Sequence, residues 1–154
     1  IATEMPAVER VELDEALVRA DYVILAVPLT NATHRMIEQR QLESAKPGSL
    51  WINVGRGSVV DEAAMLWALE ADRIGGYAAD VFAFEDWGLP DRPQAISPRL
   101  LQHPRTLFTP HIGSAVARVR LAIEHRAADN ILAVLDGRTP PDAVNRPDHR
   151  IRSG

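Results

Sequence analysis

Tyr22-Val-Ile-Leu-Ala-Val27 is an apolar run, and Leu50-Trp-Ile-Asn-Val54 is a second run that follows it after one helical segment. Short apolar runs of this kind predict strands that are buried on both faces of a parallel sheet. Two later runs, 77–82 and 106–109, repeat the pattern. Because strands that alternate with helical segments are typical of α/β proteins, the sequence predicts a doubly wound parallel sheet.

Helices are predicted between these strands from apolar spacing and from the residues that start or stop a helix. We expect helices over 15–20, over 37–45, over 62–71 with Asp61 as its cap, and a short one after Ser97-Pro98.

The longest helix is predicted over 114–137, opening at Ser114 and ending at Gly137. Its apolar residues recur at helical spacing, which indicates a stripe that packs against another element. The stripe comprises Val116, Val119, Ile123, Ala127, Ile131 and Val134. Residues 138–154 are predicted to be a polar tail.

The composition excludes several classes of protein. The 154 residues carry a net charge of -4, with 46% hydrophobic and 25% charged residues, which is typical of a packed soluble domain and disfavours a nucleic-acid partner. Cysteine is absent, so disulfide frameworks and thiolate metal sites are excluded. No apolar run reaches the roughly 20 residues that a membrane span requires. We expect a soluble, cytoplasmic protein, and because the sequence begins with Ile1 rather than Met, a truncated or processed chain.

Polar or turn-forming residues follow each of the four predicted strands. Pro28, Arg56, Glu85 and His111 each stand just beyond a strand. Ligands of doubly wound sheets bind beyond the carboxyl ends of the strands, so these residues are predicted to converge on one site.

Arg56 stands between Gly55 and Gly57, where the missing Cβ atoms allow a ligand to approach the backbone. Its fork of donors suits a carboxylate or a phosphorus oxyanion. A solvated turn arginine is an equally good interpretation of the spacing alone. A dinucleotide fingerprint is rejected here, because Val60 stands where the third glycine would be.

His111 precedes the predicted start of the longest helix, and Glu85 is the nearest carboxylate by strand order. A histidine held by a glutamate is a general acid/base pair. The alternative is a histidine that only hydrogen-bonds to the helix start. The other four histidines, His34, His103, His125 and His149, show no ligand spacing, so no metal site is predicted.

Two further charged residues are candidates with weaker support. Asp80 lies at the end of an apolar strand and needs a partner if it is buried, either a neighbouring loop or a cofactor. Arg120 could add positive charge near the cleft, although taken alone it is typical of a surface arginine.

The order and spacing of several motifs resemble the D-isomer-specific 2-hydroxyacid dehydrogenases over about residues 14 to 137. These motifs are Pro28-Leu-Thr-x-x-Thr33, Asn53-x-x-Arg56-Gly57, Val60-Asp-Glu62, Asp80-Val-Phe82 and Thr109-Pro-His-Ile-Gly113. Within that family, Glu85-Asp86-Trp87 and Gly75-Gly-Tyr-Ala-Ala-Asp80 are most similar to the phosphonate (phosphite) dehydrogenases.

The resemblance implies a role for each candidate. Arg56 would anchor the substrate anion with help from Arg120, His111 would act as acid/base, and Glu85 would orient it. Asp80 would face the nicotinamide. The cofactor would further be lined by Ala26, Val27, Pro28, Val54 and Gly113. The implied reaction transfers hydride from phosphite to NAD and gives phosphate, with NADP left open as a cofactor.

The resemblance also implies an organisation. Because these residues contain no Gly-x-Gly-x-x-Gly, residues 1–113 would be a partial Rossmann-type dinucleotide-binding domain whose first βαβ unit lies upstream. Residues 114–137 would return toward a substrate domain, and the full-length protein would be a homodimer. The chain as given would be inactive alone.

Three other functions stay open at this point. The same Arg56, Glu85 and His111 would serve a 2-hydroxyacid dehydrogenase such as a glyoxylate or hydroxypyruvate reductase. The family also includes NADH-sensing corepressors, in which turnover is incidental. A degenerate fragment kept as an interaction module is the third.

Overall fold

The computed structural model describes residues 8–144, which form four strands and five helices. In chain order these are α1 (Leu13–Arg19), β1 (Tyr22–Leu25), α2 (Gln39–Ser44), β2 (Leu50–Asn53), α3 (Glu62–Glu70), β3 (Gly76–Ala79), α4 (Pro98–Leu101), β4 (Thr106–Phe108) and α5 (Ala117–Leu135), with short 3₁₀ turns at Gly57–Val59 and Ala83–Glu85. The chain divides into two units, one ending at His111 and one beginning at Ile112.

The first unit is a parallel sheet with the strand order β1-β2-β3-β4. Leu25 pairs with Asn53, Asn53 with Ala79, and Ala79 with Phe108, so the carboxyl ends of the four strands lie side by side. The predicted α/β parallel fold is therefore confirmed, and the strand ends meet at one edge.

One face of this sheet is covered by the helices that connect its strands. The core consists of helix residues packed on the inward residues of the strands; it includes Leu17, Leu42, Met65, Leu69 and Leu100 from the helices and Val23, Leu25, Trp51, Tyr77 and Ala79 from the strands. Burial of such side chains stabilises a fold by about 1.5–3 kcal/mol each. This single cluster fixes the sheet and so positions the strand ends.

The opposite face of the sheet is exposed, which corrects the prediction that the strand in 22–27 is buried on both faces. Tyr22 is 67% exposed, Ile24 65% and Leu107 71%. Each strand here neighbours the next in sequence, and right-handed crossovers then place every connecting helix on the same face. The apolar run indicates that this face of the sheet is suited to burial, but nothing in residues 8–111 covers it.

Element ends differ from the prediction by a few residues. β1 stops at Leu25 and β3 at Ala79, because the residues beyond them turn into the loops of the edge. The predicted cap of α3 is confirmed, since the Asp61 carboxylate accepts hydrogen bonds from the amides of Ala63 and Ala64. The short helix after Ser97 is present as α4, with Pro98 in its first turn.

The second unit is α5 with the segment that follows it. The helix begins at Ala117, three residues later than predicted, because 112–115 form a turn in which the Ala115 amide donates to the Ile112 carbonyl. After the helix, Gly137 adopts φ +71°, as its predicted stop role requires. Asp142 accepts two hydrogen bonds from the Arg126 guanidinium, at 2.6 and 2.7 Å, which closes the segment back onto the helix.

The predicted buried stripe of α5 is wrong for this chain. Val116, Val119, Ile123 and Ile131 are between 38% and 61% exposed, Ala127 is also exposed, and Val134 is half-buried. A helix buries an apolar face only where another element covers it. Within this unit the described chain continues from α5 only to residue 144, and this short segment leaves most of the apolar face exposed. The remainder of the predicted tail, residues 145–154, lies outside the described residues, as do residues 1–7.

No helix in the described part of the chain is long and apolar enough to cross a membrane.

Candidate active site

The carboxyl edge of the sheet carries the predicted site residues of the first unit. Arg56 follows β2, Glu85 follows β3 and His111 follows β4. The aligned register of the strands brings these three connections to the same edge.

His111 and Glu85 form a close pair at this edge. The Nδ1 atom of His111 lies 2.6 Å from Oε2 of Glu85, with the histidine side chain 48% exposed and the glutamate 24% exposed. Glu85 closes a 3₁₀ turn, in which its amide donates to the Phe82 carbonyl. His111 follows β4 directly, and its amide donates to the Thr109 carbonyl. The structure thus brings together the two side chains that the sequence paired.

This geometry suits proton transfer. A carboxylate at Nδ1 fixes the orientation of the ring, which leaves Nε2 to exchange a proton with a ligand. The half-exposed ring allows a ligand to reach it. The acid/base role of the pair stays a prediction.

Arg56 lies on a turn that a buried asparagine holds in place. Asn53, the last residue of β2, is fully buried; its Nδ2 donates to the Arg56 carbonyl at 3.0 Å, and its Oδ1 accepts from the Gly55 amide at 3.1 Å. The Arg56 residue is exposed, and its Nη1 donates to the Gly55 carbonyl at 2.8 Å. Most of its donor fork can therefore face a ligand at the edge.

The turn that carries Arg56 packs directly on the segment that carries Glu85. A Cβ atom added to Gly57 would lie 1.8 Å from the Phe82 carbonyl carbon and 2.1 Å from the Ala83 nitrogen. Only glycine permits this approach of two backbones. Arg56 and Glu85 are therefore carried by segments that touch each other.

The residues predicted to line the cofactor follow β1 and β2 at the carboxyl edge. Val54 is 52% exposed at the end of β2, and Ala26 and Pro28 are exposed beyond β1, with Val27 half-buried between them. Exposed apolar residues at this edge are able to pack against the ribose and adenine side of a dinucleotide, as the resemblance implies. Their cofactor contacts stay predictions.

Asp80 has the protein partner that its position demanded. It is half-buried just after β3, and the Thr109 hydroxyl donates a hydrogen bond to its carboxylate. This bond ties the end of β3 to the end of β4, two residues before His111. Its predicted contact with the cofactor stays a prediction.

Two predicted site residues belong to the second unit. Gly113 and Arg120 are both exposed, and Arg120 lies in the first turn of α5, where its amide donates to the Val116 carbonyl. Their predicted roles in cofactor and anion binding stay predictions.

Three polar residues of the sequence motifs shape the edge through contacts that the sequence did not predict: Asn53, Glu62 and Asp86. The Glu62 carboxylate accepts the Ala83 amide at 2.8 Å, and Asp86 accepts the Ser58 amide at 2.8 Å. Burial raises the pKa of Glu62, and the neighbouring charges of Asp61, Asp86 and Glu85 add to the effect. The available signal was Asn53 itself, a polar residue at the end of an apolar strand.

Acidic and histidine side chains at this edge do not form a metal centre. Among residues 8–144 the structure contains no group of three or more such side chains that could hold a metal ion.

The sequence of this chain is similar to those of known proteins that bind NAD. Residues 2–113 match the family described as "D-isomer specific 2-hydroxyacid dehydrogenase, NAD binding domain". Glyoxylate/hydroxypyruvate reductase B of Enterobacter agglomerans is 38% identical over 134 residues, which cover 87% of this chain and 39% of that protein.

Solved structures give the same result. D-lactate dehydrogenase with NAD⁺ from Lactobacillus jensenii is 26% identical with a TM-score of 0.73, covering 88% of this chain and 43% of that one. The NADPH-dependent glyoxylate/hydroxypyruvate reductase of Sinorhizobium meliloti, in complex with NADP and malonate, is 32% identical with a TM-score of 0.70, covering 80% of this chain and 36% of that one.

The chain therefore spans about two fifths of the length of the relatives it matches. Its parallel sheet, the residues at its carboxyl edge and the match over 2–113 agree, and this chain belongs to the NAD-binding domain family of the D-isomer-specific 2-hydroxyacid dehydrogenases.

Proposed function

We propose that the full-length protein is an NAD(P)-dependent dehydrogenase that interconverts a small 2-oxoacid, of the glyoxylate or hydroxypyruvate class, and the corresponding 2-hydroxyacid. The observation that carries the proposal is the 2.6 Å His111–Glu85 pair at the carboxyl edge of an NAD-binding sheet. The names of the relatives support this substrate class over phosphite, which the sequence motifs placed first.

The residues divide the reaction between them. A bound reduced nicotinamide would supply the hydride that reaches the carbonyl carbon. Arg56 would bind the substrate carboxylate through two parallel N–H···O contacts. The imidazolium of His111 would donate its Nε2 proton to the carbonyl oxygen, so that the oxoacid becomes the hydroxyacid, while Glu85 holds the Nδ1 proton and stabilises the charge.

Phosphite oxidation is the second candidate, and Glu85-Asp86-Trp87 is the observation that favours it. In that reaction the P–H hydride would pass to the oxidised nicotinamide, and the oxygen of a water molecule would bond to phosphorus to give phosphate. His111 would accept the proton of the water, and Arg56 and Arg120 would hold the anion.

Assays of the full-length protein separate these functions. NADH or NADPH oxidation with glyoxylate and with hydroxypyruvate is measured beside NAD⁺ reduction with phosphite, at matched enzyme concentration. We expect 2-oxoacid reduction to dominate, and dominant phosphite turnover would overturn the first proposal in favour of the second. Tight NADH binding with no turnover of either acid would instead indicate a sensor of the corepressor type.

A cytoplasmic homodimer is the assembly that we propose for the full-length protein. Light scattering after size exclusion tests the dimer, and a monomer at micromolar concentration would contradict it.

A further inference from the structure

The turn that carries Arg56 and the segment that carries Glu85 are joined by a hydrogen bond. The Ser58 amide, on the turn of Arg56, donates to Oδ2 of Asp86 at 2.8 Å. Ser58 is 5% exposed, and Asp86 is half-buried. Asp86 is the residue directly after Glu85, so the bond joins the Arg56 turn to the segment that carries Glu85.

A second carboxylate holds the other end of the same segment. Glu62, in the first turn of α3, accepts the Ala83 amide at 2.8 Å. Glu85 is therefore bracketed by two anchored positions, Ala83 and Asp86, inside a single 3₁₀ turn and the residue after it. The bracket limits how far its carboxylate can move relative to His111.

Asp86 is one of three neighbouring carboxylates in this part of the structure. Glu62, Glu85 and Asp86 stand close enough for the charges of Glu85 and Asp86 to act on Glu62. Like charges that share a partly buried site repel. The contact that offsets this cost is the charge-assisted bond from the Ser58 amide, a class of hydrogen bond worth about twice a neutral one.

We propose that Asp86 is a positioning residue, which by accepting the Ser58 amide holds the Arg56 turn in register with the Glu85–His111 pair. Asp86 does not touch the reacting atoms in this arrangement. It fixes the separation between the group that binds the substrate anion and the group that moves the proton. The inference rests on the proposed function, because register matters only if both groups act on one small anion.

Asp86→Ala and Asp86→Asn in the full-length protein test this inference. Alanine removes the acceptor, whereas asparagine keeps an oxygen of the same reach and removes the charge. We expect Asp86→Ala to lower kcat/KM for the preferred acid by about tenfold to a hundredfold, largely through KM, with the Kd for NADH unchanged. Asp86→Asn should recover most of the loss, and neither variant should shift the pH profile of kcat/KM.

Further variants keep the inference falsifiable. Asp91→Ala removes an exposed carboxylate from the loop that follows Asp86 and should keep kcat/KM within about twofold of the parent. If Asp86→Ala does not fold, Asp86→Ser replaces it, because the serine hydroxyl is one bond shorter and does not reach the Ser58 amide.

The outcomes separate the inference from the proposed function. If the parent turns over glyoxylate and the Asp86→Ala variant keeps the parental kcat/KM, the inference is overturned and the proposed function stands. An equal loss of kcat/KM in the alanine and asparagine variants has the same meaning. If the parent turns over phosphite but neither oxoacid, the proposed substrate is overturned. The kcat/KM of each Asp86 variant relative to the parent is then measured with phosphite. A parent that turns over neither acid overturns both.

Discussion

His111 adopts φ 55°, a left-handed conformation that is uncommon for residues other than glycine, although asparagine, aspartate and histidine adopt it more often than the rest. Such a conformation costs about 1–3 kcal/mol and persists only where the surroundings determine it. Here the Thr109 carbonyl fixes the backbone and Glu85 fixes the ring.

His111→Asn is a clean test because asparagine tolerates the left-handed backbone while removing the imidazole. We expect kcat/KM of the full-length protein to fall by about 10²- to 10⁴-fold, with the Kd for NADH nearly unchanged. His125→Asn, at an exposed position of α5, is the matched control. Near-normal turnover by the His111 variant would remove the imidazole from the mechanism.

Arg56→Lys tests whether the forked guanidinium binds the anion. Lysine keeps the positive charge but cannot make two parallel contacts to a carboxylate. We expect KM for the acid to rise by about tenfold or more in steady-state assays. Arg40→Lys, in an exposed ion pair with Asp14, should leave KM unchanged. An unchanged KM in the Arg56 variant would assign the anion to another cation.

At the scale of elements, the site depends on the contact of the Arg56 turn with the segment after β3. Gly57→Ala would place a methyl group 1.8 Å from the Phe82 carbonyl carbon, so one backbone must move. We expect the free energy of unfolding to fall by about 1–3 kcal/mol or more in denaturant titrations. Gly88→Ala is the control, because its added Cβ meets nothing within 4 Å. Equal stability of the two variants would contradict the packing.

Glu62→Gln tests the cost of a buried charge beside that contact. Burial, with the charges of Asp61, Asp86 and Glu85, raises the pKa of Glu62. The folded state therefore binds this proton more tightly than the unfolded state, and the parent loses stability as pH rises from the ordinary carboxyl pKa through the raised value. Glutamine carries no charge and has no such loss.

We therefore expect the Tm of Glu62→Gln, relative to that of the parent, to increase from about pH 4 to about pH 7. Thermal unfolding across this range measures the difference. Glu124→Gln, at an exposed position of α5, should show a difference that does not change with pH. A constant difference for the Glu62 variant would mean that its charge costs nothing in the fold.

The sequence predicted these elements and their convergence because strand runs and the residues after them are local signals. The runs at 22–27 and 50–54 led to β1 and β2, and strand order alone paired Glu85 with His111. The Asp86–Ser58 bond could not be predicted, because it joins a side chain to a backbone amide 28 positions away. Its existence depends on the close packing that Gly57 permits.

At the scale of the whole molecule, an apolar pattern shows that a surface is suited to burial but does not show what covers it. The outward residues of neighbouring strands align across the sheet: Tyr22 pairs with Leu50, and Ala78 with Leu107. Parallel sheets are usually covered on both faces. Within residues 8–111 this face and the outer edge of β1 carry no covering element, although the strands that form them were predicted correctly.

This open face leads to a prediction for the isolated 154-residue chain. Large exposed apolar patches and unpaired strand edges promote association. We expect the chain to self-associate with rising concentration in sedimentation velocity. The double substitution Tyr22→Lys with Ile24→Lys should weaken that association by at least about tenfold, because each side chain buried in the contact contributes about 1.5–3 kcal/mol. Both side chains are at least 65% exposed, so the circular dichroism of the fold should not change. Val8→Lys, at an 81% exposed position outside the sheet, is the control. A chain that stays monomeric throughout, or that associates equally in both variants, would show that this face does not drive self-association.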